Sequence, residues 1–278
     1  MFSERFRRYR GVSDMLNHRR QRGLSLVELM IGLLVGLIVV AGASAMYMTN
    51  VRGQTNALRA AKLNQDLRAT MSVMVSDIRR AGYWQGSITG AGAAAPLPHP
   101  YSHSALQAYL SVLVNGTCIM YAYDSDADGA NLPEGGEVFG FRLNGDVVQM
   151  LDPTDAATIA LNTTTNCGAG GWAAMTSNDT VVIDSLTFST TGSQCFDATT
   201  DLSWQVTAAD STNEPCSAPQ SEITMNTGAY IAPVTNDVAL EMRQVTITLT
   251  GHHRSDAALI STITETVHVP NNRMFLIP

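Results

Sequence analysis

The chain has 278 residues, with 17 Lys and Arg against 24 Asp and Glu and a formal charge of −7. The charge is split: seven arginines (Arg5, Arg7, Arg8, Arg10, Arg19, Arg20, Arg22) face only Glu4 and Asp14 in the first 23 residues, leaving 10 of the 17 basic and 22 of the 24 acidic residues beyond them. So acidic a bulk argues against nucleic-acid binding through the overall field, and the length suits one long helix and one globular head.

Residues Met1 to Arg22 read as a basic, removable leader. The basic run stops at Gly23, and Leu24-Ser25-Leu26-Val27-Glu28-Leu29 follows. The twenty residues Leu29 to Met48 carry no charge. At about 1.5 Å per residue they span roughly 30 Å, the thickness of a bilayer's hydrocarbon core. Positive charge ahead of the span keeps that end cytoplasmic and sends the rest outward. A lone acid in such a segment costs about 3 kcal/mol near the membrane centre, which marks Glu28 as a functional residue.

The string Gly23-Leu24-Ser25-Leu26-Val27-Glu28 resembles the processing site of type IV prepilins. The resemblance implies cleavage after Gly23 by a prepilin peptidase, N-methylation of the new first residue Leu24, and filament assembly guided by Glu28. Leu24 stands where the family usually has phenylalanine. Two other readings compete. A secretory signal would use Leu29 to Val40 as its apolar core and Ala43-Ser44-Ala45 as its cut site, but has no use for Glu28. A plain single-pass anchor explains the length but neither Gly23 nor Glu28.

Gly32 and Gly36 form a small-xxx-small pair, a spacing that lets membrane helices approach closely. Gly53 marks a weak point in the helix. Beyond it Leu58, Leu63, Leu67, Met71, Met74, Val75 and Ile78 recur at three-, four- and five-residue steps, an apolar stripe on which a sheet can pack. Arg59, Lys62, Asp66, Arg68, Asp77, Arg79 and Arg80 take the polar face. Arg79 and Arg80 complement the C-terminal dipole, and Gly82 is a cap. The helix is expected over Leu24 to Ala81. Its exit, Asp77-Ile78-Arg79-Arg80-Ala81-Gly82-Tyr83-Trp84, resembles that of PilW-type minor pilins.

Gly86 to Pro100 reads as a loop rich in Gly, Ala and Pro, and Tyr101 to Leu110 is ambiguous. Strands are expected at Ser111–Val114, Thr117–Tyr123, Glu137–Leu143 and Val147–Leu151, the last two joined as a hairpin through Asn144-Gly145-Asp146. Asp152 to Asn178 reads as mostly loop. Val181–Ile183 and Leu186–Ser189 read as two short strands, and Gly192 to Pro233 as polar and irregular. Gln244–Thr250 and Leu259–Val269 form a closing hairpin about a turn at Gly251 to Asp256. His252 and His253 fall in that turn as a solvated pair.

Asp124, Asp126 and Asp128 alternate and precede Gly129, as in the first half of an EF-hand-type calcium loop. Gly135 holds the twelfth position, where a bidentate Glu is needed; Glu134 and Glu137 miss it by one and two. Ca2+ is therefore a candidate, beside an acidic turn without a metal. Around this loop, Cys118 to Leu143 also resembles PilW-type minor pilins.

The four cysteines, Cys118, Cys167, Cys195 and Cys216, contain no Cys-x-x-Cys, which argues against zinc and thioredoxin-like chemistry. An even count in an exported domain reads as two disulfides, and three pairings are open. Cys118–Cys167 with Cys195–Cys216 is favoured because the second closes a short polar loop, a closure worth roughly 3 kcal/mol in the chain-entropy account. There is no His-Glu-x-x-His, Gly-x-Ser-x-Gly or Walker loop, and Gly168-Ala169-Gly170-Gly171 is a turn with no helix pattern after it.

The expected architecture is α+β and pilin-like: a leader over residues 1–23, a transmembrane and amphipathic helix over 24–82, and a β-rich head over 83–278 with a mainly antiparallel sheet and long loops. The resemblance is carried in the head by Val245 to Gly251 and Asn271-Asn272-Arg273 as well. It implies a non-enzymatic minor pilin that helps initiate a type IV pilus and so supports twitching motility, adhesion or DNA uptake. The partners implied are other minor and major pilins through the N-terminal helix, the prepilin peptidase, the inner-membrane assembly platform and the membrane itself. The protein would span the inner membrane once and later stand in the pilus at the cell surface. A type II secretion pseudopilin shares the helix and the cleavage site. A membrane-tethered periplasmic enzyme or binding domain would instead keep an uncut N-terminus.

Overall fold

A computed structural model of the protein describes residues 23–84, 110–127, 136–161, 166–197, 202–205, 238–270 and 273–276. The chain divides into two compact units, Met1–Thr55 and Asn56–Pro278. The first helix, α1, runs Leu26–Ile78 without a break at Gly53. Its ends fall two or three residues inside the expected ones. Gly82, at φ 74°, takes the left-handed cap, and its N–H donates to the carbonyl of Ala122 at 2.9 Å.

In the second unit α1 buries Leu63, Leu67, Met71, Met74, Val75 and Ile78, the face the spacing marks. Leu58 is not part of it and stays 71% exposed. These side chains join a core built from one face of each of two antiparallel sheets. The first sheet is a five-stranded meander: β1 (Leu110–Leu113), β2 (Cys118–Ala122), β3 (Val138–Asn144), β4 (Val147–Leu151) and β5 (Trp172–Ala174). Asn144 pairs with Val147 across the expected hairpin, with Gly145 at φ 64°. A short helix, α2 (Ala156–Ile159), and β5 lie within the stretch expected to be loop. α2 starts at Asp155, whose side chain accepts from the N–H of Ala157.

The second sheet is ordered β11-β10-β6, from β6 (Val181–Ser189), β10 (Gln244–His253) and β11 (Asp256–His268). The two strands expected at 181–183 and 186–189 are one strand. The polar break between them is absorbed as a register shift opposite Thr250 and Gly251, and Asp184 is the extra residue. Val245, Ile247 and Leu249 of β10 point into the core, while Thr246, Thr248 and Thr250 pair with hydroxyls of Thr266, Thr264 and Thr262 at 2.9 to 3.2 Å on the outer face. The N–H of Ile183 donates to Asp146 and that of Phe188 to Gly116, tying β6 to the first sheet.

A third sheet, ordered β12-β9-β7-β8, pairs β7 (Gln194–Asp197), β8 (Leu202–Gln205), β9 (Val238–Met242) and β12 (Arg273–Leu276), all antiparallel. Two of its strands, β7 and β8, come from the stretch read as irregular. Cys118 and Cys167 form a disulfide with Cα atoms 6.5 Å apart, the first of the two expected pairs. The second expected pair, Cys195 with Cys216, lies outside what is described, since Cys216 falls beyond the described residues.

Candidate functional site

Gly23 and Leu24 precede α1 in exposed, non-helical backbone. The carbonyl of Ser25 accepts from the N–H of Leu29 at 3.1 Å, so Ser25 opens the helix and Glu28 falls in its first turn. Ser25-x-x-Glu28 is the spacing of a capping box, a signal present in the sequence but not used in reading it. A carboxylate there also faces the positive end of the helix dipole. The side chains that follow are turned outward all round: Leu24 is 74% exposed, and the most apolar stretch of α1 has a mean hydropathy of 2.5 with none of it buried. Ser44 and Thr49 return their hydroxyls to the carbonyls of Val40 and Ala45, which suits hydroxyls to a hydrocarbon environment.

Among the described residues nothing crowds the glycines of this stretch. A methyl group placed on Gly23, Gly32 or Gly36 would meet no atom within 4 Å. Elsewhere the protein uses glycine where packing demands it: at Gly251 a methyl would come 2.8 Å from the carbonyl oxygen of Val182.

A second grouping sits at the end of β2. Asp124, Asp126 and Glu137 bring carboxylate oxygens within 4.8 Å of one another. Asp124 and Glu137 are buried, at 2% and 3% exposure, and Asp126 is exposed. Asp128 lies outside the described residues, as does Gly135. Among the described residues the third group is Glu137, brought in by strand pairing beside Tyr123, whose N–H donates to the Glu137 carbonyl at 3.2 Å. Loop counting cannot see this, because the contact crosses between strands. An all-oxygen set suits a hard cation such as Ca2+.

The end of α1 is fixed to the first sheet by a polar lock. Asp77 accepts hydrogen bonds from the hydroxyls of Tyr121 and Tyr123, the latter at 3.3 Å, and Arg80 lies 3.8 Å from its carboxylate. Burial first, and then the Asp77 charge, push the Tyr121 hydroxyl well above the usual tyrosine range. Tyr123 stacks on Phe139 with centroids 4.1 Å apart. Asp77 and Arg80 therefore do more than occupy a solvated face. Likewise His252 and His253 are not in a turn: both lie on β10, and Nδ1 of His252 sits 2.8 Å from the Asp184 carboxylate that the bulge projects.

Residues 18–44 match the family described as the prokaryotic N-terminal methylation motif. Residues 56–269 match the family described as prepilin peptidase-dependent protein B. The chain belongs to this second family. It is 22% identical over 169 residues to prepilin peptidase-dependent protein B of Escherichia coli (strain K12), a match covering 59% of this chain and 75% of that protein. No solved structure matches the chain. Membership of the prepilin peptidase-dependent protein B family, with the methylation motif, makes the protein a pilin-like chain with an apolar N-terminal helix, as the Gly23-to-Glu28 string implies. The PilW-type subdivision rests on the resemblance of short motifs alone.

Proposed function

We propose that this member of the prepilin peptidase-dependent protein B family is a minor pilin of a type IV pilus, acting by assembly and not by catalysis. The leader is removed after Gly23, and the amine exposed on Leu24 is methylated. Before assembly the chain crosses the inner membrane once, with its arginine-rich end cytoplasmic and its head periplasmic. It then joins other pilins through α1, with support from the assembly platform, and takes part in initiating a filament that serves twitching, adhesion or DNA uptake.

The observation that carries this reading is the order of features on one stretch: basic residues end at Gly23, the helix opens at Ser25, and Glu28 is the acid of its first turn. A glycine that no neighbour among the described residues requires is explained if an outside protein reads it. Glu28, carried into a low-dielectric bundle, pairs with the Leu24 amine of a neighbouring subunit, which relieves two buried charges at once and fixes axial register. Glu28→Ala tests this. Its amount in the membrane fraction is expected to equal that of the parent, while its amount in sheared pili falls about tenfold or more, the effect of losing one buried charge pair. Equal recovery of both chains in the pilus fraction contradicts the assignment.

A further inference from the structure

Arg142, on β3 beside the disulfide, is held on three sides. Its Nε donates to Oε1 of Gln149 at 2.8 Å, its Nη1 donates to the carbonyl of Cys167 at 2.7 Å, and its Cζ lies 4.3 Å from the centroid of the Trp172 ring. The disulfide anchors Cys167, and Gln149 is the cross-strand partner of Arg142, so both acceptors are fixed. Among the described residues no carboxylate lies within ion-pair distance of this guanidinium, in a chain with more acidic than basic residues. Nor does its Nη2 meet an acceptor among them. Burial lowers the Arg142 pKa from its usual value but leaves the group charged.

This side chain lines an open recess of about 280 Å³ whose walls include Val114, Thr117, Asn144 and Gly168. Thr117 already donates its hydroxyl to the Val114 carbonyl at 2.9 Å, so toward the recess it is an acceptor. Asn144, exposed at the end of β3, adds a neutral donor. The rim is strained: Val114, a β-branched residue, sits at φ 53° with Asn115 at φ 55°. Such strain is typical of segments shaped for contact. Arg142 is half-exposed toward the recess, yet among the described residues its charge is unmatched, and it is braced against an aromatic face with one nitrogen that meets no acceptor among them.

We propose that this recess binds a carboxylate, with Arg142 as the charged donor and Asn144 as the neutral one. A planar fork immobilised before the ligand arrives loses little entropy on binding, which is why arginine suits this task. The carboxylate can come from a free small acid or from an acidic side chain of another protein, and the experiment separates the two. The full-length protein in detergent is titrated at constant ionic strength with glutarate and, separately, with an end-blocked peptide bearing a single glutamate, while tryptophan fluorescence is followed.

The expected result is a saturable change that chloride does not produce, that Trp172→Phe removes, and that Arg254→Gln leaves intact. Loss of a charge-assisted bond weakens the affinity by about tenfold or more in Arg142→Gln. Arg142→Lys keeps the charge but not the fork, and weakens it as well; it serves if the Gln variant does not fold. Saturation by glutarate alone identifies a free acid, and saturation by the peptide identifies a protein-borne one. A response that is linear for both probes, or one that Arg142→Lys leaves unchanged, overturns the proposal.

Discussion

At the scale of single residues, Asp77 is the most informative group in the head. An acid late in an amphipathic helix is ordinarily a solvated charge, yet here two tyrosine hydroxyls and Arg80 converge on it. Tyr121 is fully buried, so its ionisation is opposed by desolvation and by Asp77 together. Its folded pKa lies above the unfolded value of about 10. The stabilisation tied to that proton is therefore complete below about pH 10 and is lost as pH rises toward the folded pKa, because the unfolded chain releases the proton first. Tyr121→Phe is expected to cost about 1 to 3 kcal/mol at neutral pH, since Asp77 loses a donor. The same change flattens the decline in stability above about pH 10. Denaturant midpoints measured at several alkaline pH values check both; an unaltered alkaline slope in the variant contradicts the account of the lock. None of this was legible in the sequence, because Asp77 and Tyr121 are 44 residues apart and only the fold makes them neighbours.

Elements were more legible than residues, and the exceptions have physical causes. Leu63, Leu67, Met71, Met74, Val75 and Ile78 keep to steps that stay on one helix face. The five-residue step back to Leu58 turns about 140° away at 3.6 residues per turn, so the spacing already held the reason for its exposure. Leu67→Ala is expected to cost about 2 to 5 kcal/mol, as it opens a cavity against Gly251 and the strands beneath. Leu58→Ala should change stability by no more than about 0.5 kcal/mol in detergent. Urea unfolding of both variants decides, and equal losses would mean that the buried face has been misplaced. Gly251 misled in the opposite direction. It reads as a turn residue, but β10 runs through it to His253, and its lack of a side chain serves the close approach of Val182. The break read at Asp184 is a bulge within one strand, which a pattern of alternating residues cannot distinguish from a gap.

Over the whole molecule, the N-terminal half of α1 and the head follow different rules. The first exposes Leu, Ile, Val and Met all round, while the second buries its apolar residues between helix and sheets. The α+β class and the antiparallel sheets were readable from the strand runs and from Asn144-Gly145. The division of the described strands into three sheets was not, since nothing local records which strand pairs with which. The acidic cluster shows the same limit: Asp124 and Asp126 were found by spacing, but Glu137 joins them only through the pairing of β2 with β3.

The disulfide staples the start of β2 to the loop before β5 across a separation of 49 residues. Closing such a loop is worth about 4 kcal/mol in the chain-entropy account, so the paired change Cys118→Ala and Cys167→Ala is expected to cost about 2 to 4 kcal/mol. The same pair anchors the Cys167 carbonyl that holds Arg142. Urea midpoints of the oxidised parent and the double variant check the cost, and midpoints that coincide contradict it.

Where the mature chain begins decides whether this is a processed pilin. Intact-mass and N-terminal sequencing of protein extracted from membranes, in cells whose prepilin peptidase is active, should find a chain that starts at Leu24 and carries one methyl group on its amine. A chain that starts at Met1, or one cut at Met46 after Ala45, would contradict it.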